Sequence, residues 1–302
     1  MPNSLLYLLT ILLWGSSWFT IKLQLGQVAP EVSVFYRFLL AALILLSWCL
    51  VRGRPLGYDI RDHFRFAFIG FFLFNLNYIS IYYASYHLTT GLVAVIFSSI
   101  QICNMVVGNR VLGDRITWRM VVGAAIGIIG IGLVFSPEIR SLEISAGALS
   151  GLLFALGGTL SASIGMISSA RFQREGYPVL QTNTWGMTWG ACWMLLYILL
   201  ADIPFDVEPS GRYVGSMLFL SIFSTVIGFG CFLTLVGRIG AGRASYAMVM
   251  FPIVALLIST AFEGYTWSII SVVGLGLAIL GNVFILMDRQ GVLPGKTASS
   301  PA

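Results

Sequence analysis

Val121-Val122-Gly123, with Gly130 further along, and Val272-Val273-Gly274, with Gly281 further along, are one pattern written twice at a spacing of 151 residues. Gly91 and Gly242 stand at the same offset. Each copy lies in a half of the chain that carries an odd number of apolar runs long enough to cross a membrane. A repeat with an odd span count sits upside down relative to its twin, and inverted repeats around a midplane site are an architecture of secondary transporters. The pattern points to moving a solute rather than converting one.

Composition agrees. The 302 residues are 58% hydrophobic and 10% charged, with a mean hydropathy of +0.90. Soluble domains are about 45–50% apolar and about 25% charged, so this chain belongs in a lipid bilayer. A net charge of +5 would suit nucleic acid if the basic residues were clustered, but they are scattered through short loops. Nucleic acid is therefore excluded as a partner. Cys49, Cys103, Cys192 and Cys231 all lie in apolar runs, without disulfide or zinc spacing, and read as small packing residues. The first apolar run has no basic n-region and no small-residue cleavage site, so it reads as an uncleaved first span.

A span needs about 20 mainly apolar residues. Such runs occur near 4–24, 31–51, 64–86, 89–110, 117–136, 145–170, 179–200, 212–236, 241–262 and 267–287. The expected fold is all-α, a polytopic membrane protein with ten transmembrane helices. Residues 1–137 form the first five-helix repeat, 138–290 the second, inverted one, and 291–302 a Gly/Pro/Ser/Ala-rich disordered tail. Ten spans put both termini on one side. Of the 17 basic residues, Lys22, Arg37, Arg140 and Arg212 fall on the opposite face, and the other thirteen share the face of the termini. That face includes Arg52, Arg54, Arg61 and Arg65 in one loop and Arg110, Arg115 and Arg119 in the next. The bias makes both termini cytoplasmic.

Leu13-Trp14-Gly15-Ser16-Ser17-Trp18 in the first span, Phe35-Tyr36-Arg37-Phe38-Leu39-Leu40-Ala41-Ala42 in the second, and Phe251-Pro252 followed by Glu263-Gly264 and a Gly-rich last span resemble the EamA family of the drug/metabolite transporter superfamily. Within it the chain is similar to the YddG-type aromatic amino acid exporters of bacterial inner membranes. The resemblance covers about residues 4 to 287. It departs from the pattern in the first half: Gln101 stands opposite Pro252, and Asp114 is displaced by two residues from the position matching Glu263. The two gates need not be equivalent.

Phe71, Phe74, Asn75, Tyr78 and Tyr82 fall at helical spacing in the third span. Buried Asn and Tyr need partners that lipid lacks. This face therefore looks inward, onto an aromatic-lined cavity or into helix–helix contacts. The repeat carries it to Ile222, Thr225, Val226, Phe229 and Leu233. Span four adds Ala94, Phe97, Ser98 and Gln101; span six adds Gly157, Gly158, Thr159 and Ser163; span nine adds Ser245, Met248, Val249 and Pro252. The resemblance implies that spans one, three, four, six, eight and nine enclose a central cavity. The expected solute contacts are Trp18, Asn75, Tyr78, Tyr82, Ser98, Gln101, Ser163, Phe229 and Met248. Rings would receive an aromatic side chain and its ammonium, with Asn75, Gln101 and Ser98 bonding its carboxylate.

Among the remaining polar and aromatic residues, Lys22 reads as snorkelling to the interface, with a gate as the alternative. Trp14 packs or touches lipid, and Trp185, Trp189 and Trp193 form a lipid or interface stripe. Arg37, about two turns into span two, reads as an interface anchor or as an intramembrane cation that needs a partner, for which Glu31 is available but imperfectly placed. Asp and Glu are missing from the middle of every run, and His63 and His87 lie at span ends. Without a carboxylate or His relay, facilitated transport is expected over proton coupling. HExxH and P-loop motifs are missing, as is an aspartyl pair, so neither intramembrane hydrolysis nor direct ATP drive is expected, and no cofactor or metal. The reading is a monomeric inner-membrane exporter of small metabolites, aromatic and other neutral amino acids foremost. A lipophilic drug or cation is the alternative solute, and a non-transporting enzyme or receptor is the reading from another class.

Overall fold

The computed structural model of the chain describes residues 1–26, 28–134, 146–239, 244 and 246–292. Gly242, Ser245, Arg140 and the tail from 293 onward lie outside the described residues. Among those described there is no strand. The helices are α1 (Asn3–Lys22), α2 (Pro30–Val51), α3 (Ile60–His87), α4 (Thr90–Leu112), α5 (Trp118–Val134), α6 (Ala146–Arg174) and α7 (Val179–Leu200). α8 begins as Gly211–Leu218 and ends as Gly228–Ile239; α9 is Tyr246–Phe262 and α10 is Ile269–Val292. α10 thus runs two residues into the stretch expected to be a tail.

Seven helices among the described residues are long and apolar enough to cross a membrane: α1, α2, α3, α4, and the greater parts of α6, α8 and α10. α5 and the bulk of α9 are apolar but shorter. α7 has 22 residues but opens on Gln181-Thr182-Asn183-Thr184, all buried. Leu8, Leu43, Leu50, Ile128, Leu199 and Val273 are all exposed. An outward apolar surface of this extent is unfavourable in water and matched to lipid, so the protein is a multi-pass membrane protein.

Local sequence sets the breaks. Pro30 opens α2, where its missing N–H costs nothing and its fixed φ suits the first turn. Ser210 caps α8, its Oγ accepting from the Tyr213 N–H at 3.2 Å. Gly113 after α4 and Gly264 after α9 take φ of 71° and 72°, the left-handed conformation that glycine adopts without penalty. These two glycines stand 151 residues apart, as do the starts of α3 and α8 and of α5 and α10.

Two π-helical stretches recur at matching places, Gly70–Leu76 inside α3 and Phe219–Ile227 inside α8. A π turn bonds i to i+5 in place of i+4, and side chains add further bonds to its carbonyls. Ser161 of α6 donates to the Phe72 carbonyl at 2.7 Å, Asn77 to that of Leu73 at 3.2 Å, and Trp14 to that of Ser224 at 3.1 Å.

α5 and α10 pack antiparallel through glycine. A Cβ on Gly123 would sit 2.8 Å from the Gly281 carbonyl oxygen, and one on Gly130 would sit 2.6 Å from that of Gly274. Gly123 corresponds to Gly274 and Gly130 to Gly281 at the 151 offset. Each glycine therefore meets the residue that stands 151 positions from the other.

Candidate solute cavity

The cavity forms where α1, α3, α4, α6, α8 and α9 converge, with one residue from α2. Its volume is about 110 Å³. A single water needs roughly 10–15 Å³, so the space admits a larger molecule. Trp18 of α1 stacks on Phe251 of α9 at 5.7 Å and meets Phe97 of α4 at 5.2 Å. Trp14, one turn earlier, meets Phe229 at 5.2 Å and Phe232 at 5.1 Å, both from α8. Tyr78 of α3 and Met248 of α9 complete much of the wall. Four pairs of wall residues stand 151 apart: Leu73 and Ser224, Tyr78 and Phe229, Ile81 and Phe232, Phe97 and Met248.

Of the nine expected contacts, the structure brings Trp18, Tyr78, Phe229 and Met248 to this cavity. The other five are buried and are not among its lining residues. Asn75 donates to the Gly190 carbonyl at 3.3 Å and ties α3 to α7. The π stretch explains the displacement, because α-helical spacing read through a wider turn points the wrong residue inward. Asn77 occupies the cavity face instead. Tyr82 is fully buried and its hydroxyl donates to Gln24 Oε1. Ser98 donates to the Val95 carbonyl at 2.6 Å, at the interruption between Thr90–Phe97 and Ile100–Leu112 in α4. Gln101, past that interruption, is 3% exposed, and its Nε2 has no partner. Ser163 donates to Asn104 Oδ1 at 2.7 Å, joining α6 to α4.

The remaining residues match expectation in part. Trp14 packs on Phe229 and Phe232, as the first of its two readings has it, and also lines the cavity. Trp185 and Trp189 are half-buried and Trp193 is exposed, as a stripe at the edge of the bundle would be, and their indole N–H groups donate to the Leu56 carbonyl, His63 Nδ1 and the Ala67 carbonyl at 3.2, 3.2 and 3.0 Å. Glu31 accepts from the Tyr83 hydroxyl and is not the partner of Arg37. Arg37 is 2% exposed and reaches the cavity wall, its Nε donating to Thr225 Oγ1 at 3.2 Å. Its guanidinium carbon lies 4.6 Å from the Tyr78 ring centroid. Its intramembrane charge was the signal that marked it in the sequence.

Ion pairs stand at opposite ends of the bundle. Lys22, at the end of α1, lies 2.8 Å from Glu263, just past α9. Thr90 donates its N–H and hydroxyl to Glu263 Oε2 at 3.0 and 2.5 Å, and Ser259 donates to the same oxygen. Lys22 is therefore paired rather than snorkelling. At the other end of α3, Arg65 bonds Glu175 at 3.0 Å, and Arg174 at the end of α6 meets Asp114 just past α4 at 3.2 Å. The Lys22 pair joins α1 to α9, and the Arg174 pair joins their counterparts α6 and α4.

The chain is similar to known proteins. The model of the EamA-like transporter family matches residues 1–136 and 149–287. An uncharacterized inner membrane transporter, YedA, of Escherichia coli K12 is 25% identical, over 96% of this chain and 92% of that protein. A probable amino-acid metabolite efflux pump of Salmonella typhimurium LT2 is 23% identical, over 95% and 97%. YyaM, an uncharacterized transporter of Bacillus subtilis 168, is 28% identical, over 94% and 93%. A protein of known crystal structure superposes with a TM-score of 0.69 at 16% identity, over 96% of this chain and 98% of its own; that likeness concerns the fold.

Proposed function

The chain belongs to the EamA-like transporter family, and from that membership we propose a secondary transporter of the bacterial inner membrane that exports small metabolites, aromatic and other neutral amino acids foremost. Ten spans in two inverted five-helix halves, with both termini cytoplasmic, rock around the central cavity and expose it to each side in turn. The observation that carries this reading is the ring-lined cavity itself, walled by Trp18, Phe97, Phe229 and Phe251 at the junction of six helices.

The matched helix starts, the paired π stretches and the crossed glycine contacts of α5 and α10 support the inverted repeat. The ion pairs at the two ends support a gate at each face. The Salmonella efflux pump supports an amino acid as cargo. Transport is facilitated, because no acidic side chain lines the cavity among the described residues and so nothing there carries a proton with the solute. The alternative cargo, a lipophilic drug or cation, meets Arg37 at the wall with no carboxylate to receive it.

The test is flux into liposomes containing the purified protein, with labelled phenylalanine, tryptophan and alanine, with and without an imposed proton gradient. Saturable entry of the aromatic pair that ignores the gradient supports the proposal. Gradient-driven accumulation contradicts the facilitated mechanism, and flux of none of the three contradicts the choice of cargo.

A further inference from the structure

Two polar side chains of the cavity wall each carry one buried atom without a partner, and the two atoms are of opposite kind. Arg37 is buried with its Nη1 unbonded, and among the described residues no carboxylate forms an ion pair with it. A buried guanidinium inside a membrane is costly unless an anion meets it. Asn77 is 5% exposed and its Oδ1 is unbonded. Its amide orientation is fixed, because Nδ2–H donates to the Leu73 carbonyl at 3.2 Å and leaves the oxygen as the free end. Both residues line the same cavity, and the rest of the wall is dominated by rings.

We infer that Arg37 and Asn77 form a solute-binding pole, in which the Arg37 guanidinium receives a carboxylate and Asn77 Oδ1 accepts from an ammonium. The ligand class is a zwitterionic α-amino acid whose apolar side chain lies among Trp18, Phe229 and Phe251. The inference rests on the proposed amino acid cargo and assigns its recognition to residues other than Asn75, Gln101 and Ser98. Arg37 is suited to this task, since its planar fork pairs with a carboxylate through two parallel N–H bonds. It also repels an amine that brings no carboxylate, so the same residue selects against lipophilic cations.

The experiment uses three probes that share a phenyl ring: phenylalanine, phenethylamine without the carboxylate, and 3-phenylpropionate without the ammonium. Binding to the purified protein is read from indole fluorescence, to which Trp14 and Trp18 in the cavity wall contribute. Phenylalanine is expected to bind at least about tenfold more tightly than phenethylamine, the scale of one charge-assisted hydrogen bond, with 3-phenylpropionate between them. Arg37→Gln is expected to weaken phenylalanine and 3-phenylpropionate alike and to leave phenethylamine unchanged. Asn77→Leu weakens phenylalanine but not 3-phenylpropionate. Equal binding of phenethylamine and phenylalanine by the wild-type protein overturns the inference without any variant having to fold, as does binding of none of the three. Because binding is measured without flux, a protein that binds with this preference but moves nothing leaves the pole standing and defeats the transport proposal; flux of phenylalanine that phenethylamine blocks equally does the reverse.

Discussion

Lys22 and Glu263 are joined at 2.8 Å across the ends of α1 and α9, with the Glu263 side chain 1% exposed and that of Lys22 40% exposed. Removing one partner of a fully buried pair costs about 3–5 kcal/mol. Because Lys22 is partly in solvent, Lys22→Gln is expected to cost about 2 kcal/mol, read as a lower thermal midpoint in detergent. Arg174 and Asp114, 50% and 24% exposed, form the looser pair. Asp114→Asn is expected to cost less than about 1 kcal/mol. The two ends then differ in strength, as the displacement of Asp114 in the sequence foreshadows.

Acid should act through Glu263. Burial pushes its carboxyl up, but hydrogen bonds from Lys22, Ser259 and Thr90 and the Lys22 charge outweigh that and hold it below the usual carboxylate range. A depressed carboxyl contributes stability above its unfolded-state value and loses it as pH falls through the folded-state value. Between about pH 6 and 8 the pair therefore adds no pH dependence. Below about pH 4 the stability gap between the wild-type protein and Glu263→Gln is expected to close. A gap that holds constant into strong acid would refute this.

The α5–α10 contact predicts a paired result. A Cβ at Gly130 would lie 2.3 Å from the Ala278 backbone nitrogen, whereas one at Gly132, on the same helix, meets nothing within 4 Å. Gly130→Ala is expected to lower stability by about 1–3 kcal/mol through overpacking. Gly132→Ala should be neutral or slightly stabilising, since alanine favours the helix by about 1 kcal/mol. Equal thermal midpoints for the two variants would show that the helices do not pack this closely.

Tyr78 and Tyr82, one turn apart, should part company. Trp18→Ala and Tyr78→Ala each remove a ring from the cavity wall, and each is expected to weaken aromatic flux about tenfold at unchanged protein level. Tyr82→Phe deprives the buried Gln24 Oε1 of its donor. That costs about 1–3 kcal/mol of stability without altering the preference among solutes. A selectivity change in Tyr82→Phe, measured by competition in vesicles, would return that hydroxyl to the binding site.

How far the sequence was legible follows from these residues. Apolar runs were readable because lipid imposes them, and seven of the ten return as helices long and apolar enough to cross a membrane among the described residues; the offset between Val121-Val122-Gly123 and Val272-Val273-Gly274 marked two glycine-bearing helices that meet in the structure. The wall residues Tyr78 and Phe229 follow from that offset and from ring-bearing faces. Asn75 does not, because the π stretch just before Asn77 shifts the face, and no residue type in Gly70–Leu76 announces such a turn. Ser98 and Ser163 look like solute ligands in one dimension, yet a hydroxyl in a helix has a carbonyl or a neighbouring amide within reach. Arg37 was conspicuous by its depth in span two. Its true surroundings, Tyr78 and Thr225 rather than Glu31, depend on how α2 packs against α3 and α8.

The most direct test of the central claim is counterflow. Liposomes containing the purified protein are loaded with unlabelled phenylalanine and diluted into a trace of labelled phenylalanine with no proton gradient. A cavity that opens to one side at a time returns loaded with label, so the account predicts a transient accumulation of label above equilibrium, diminished in Trp18→Ala. Label that only rises to equilibrium, as through an open pore, or fails to enter at all, would contradict alternating access of an aromatic amino acid around this cavity.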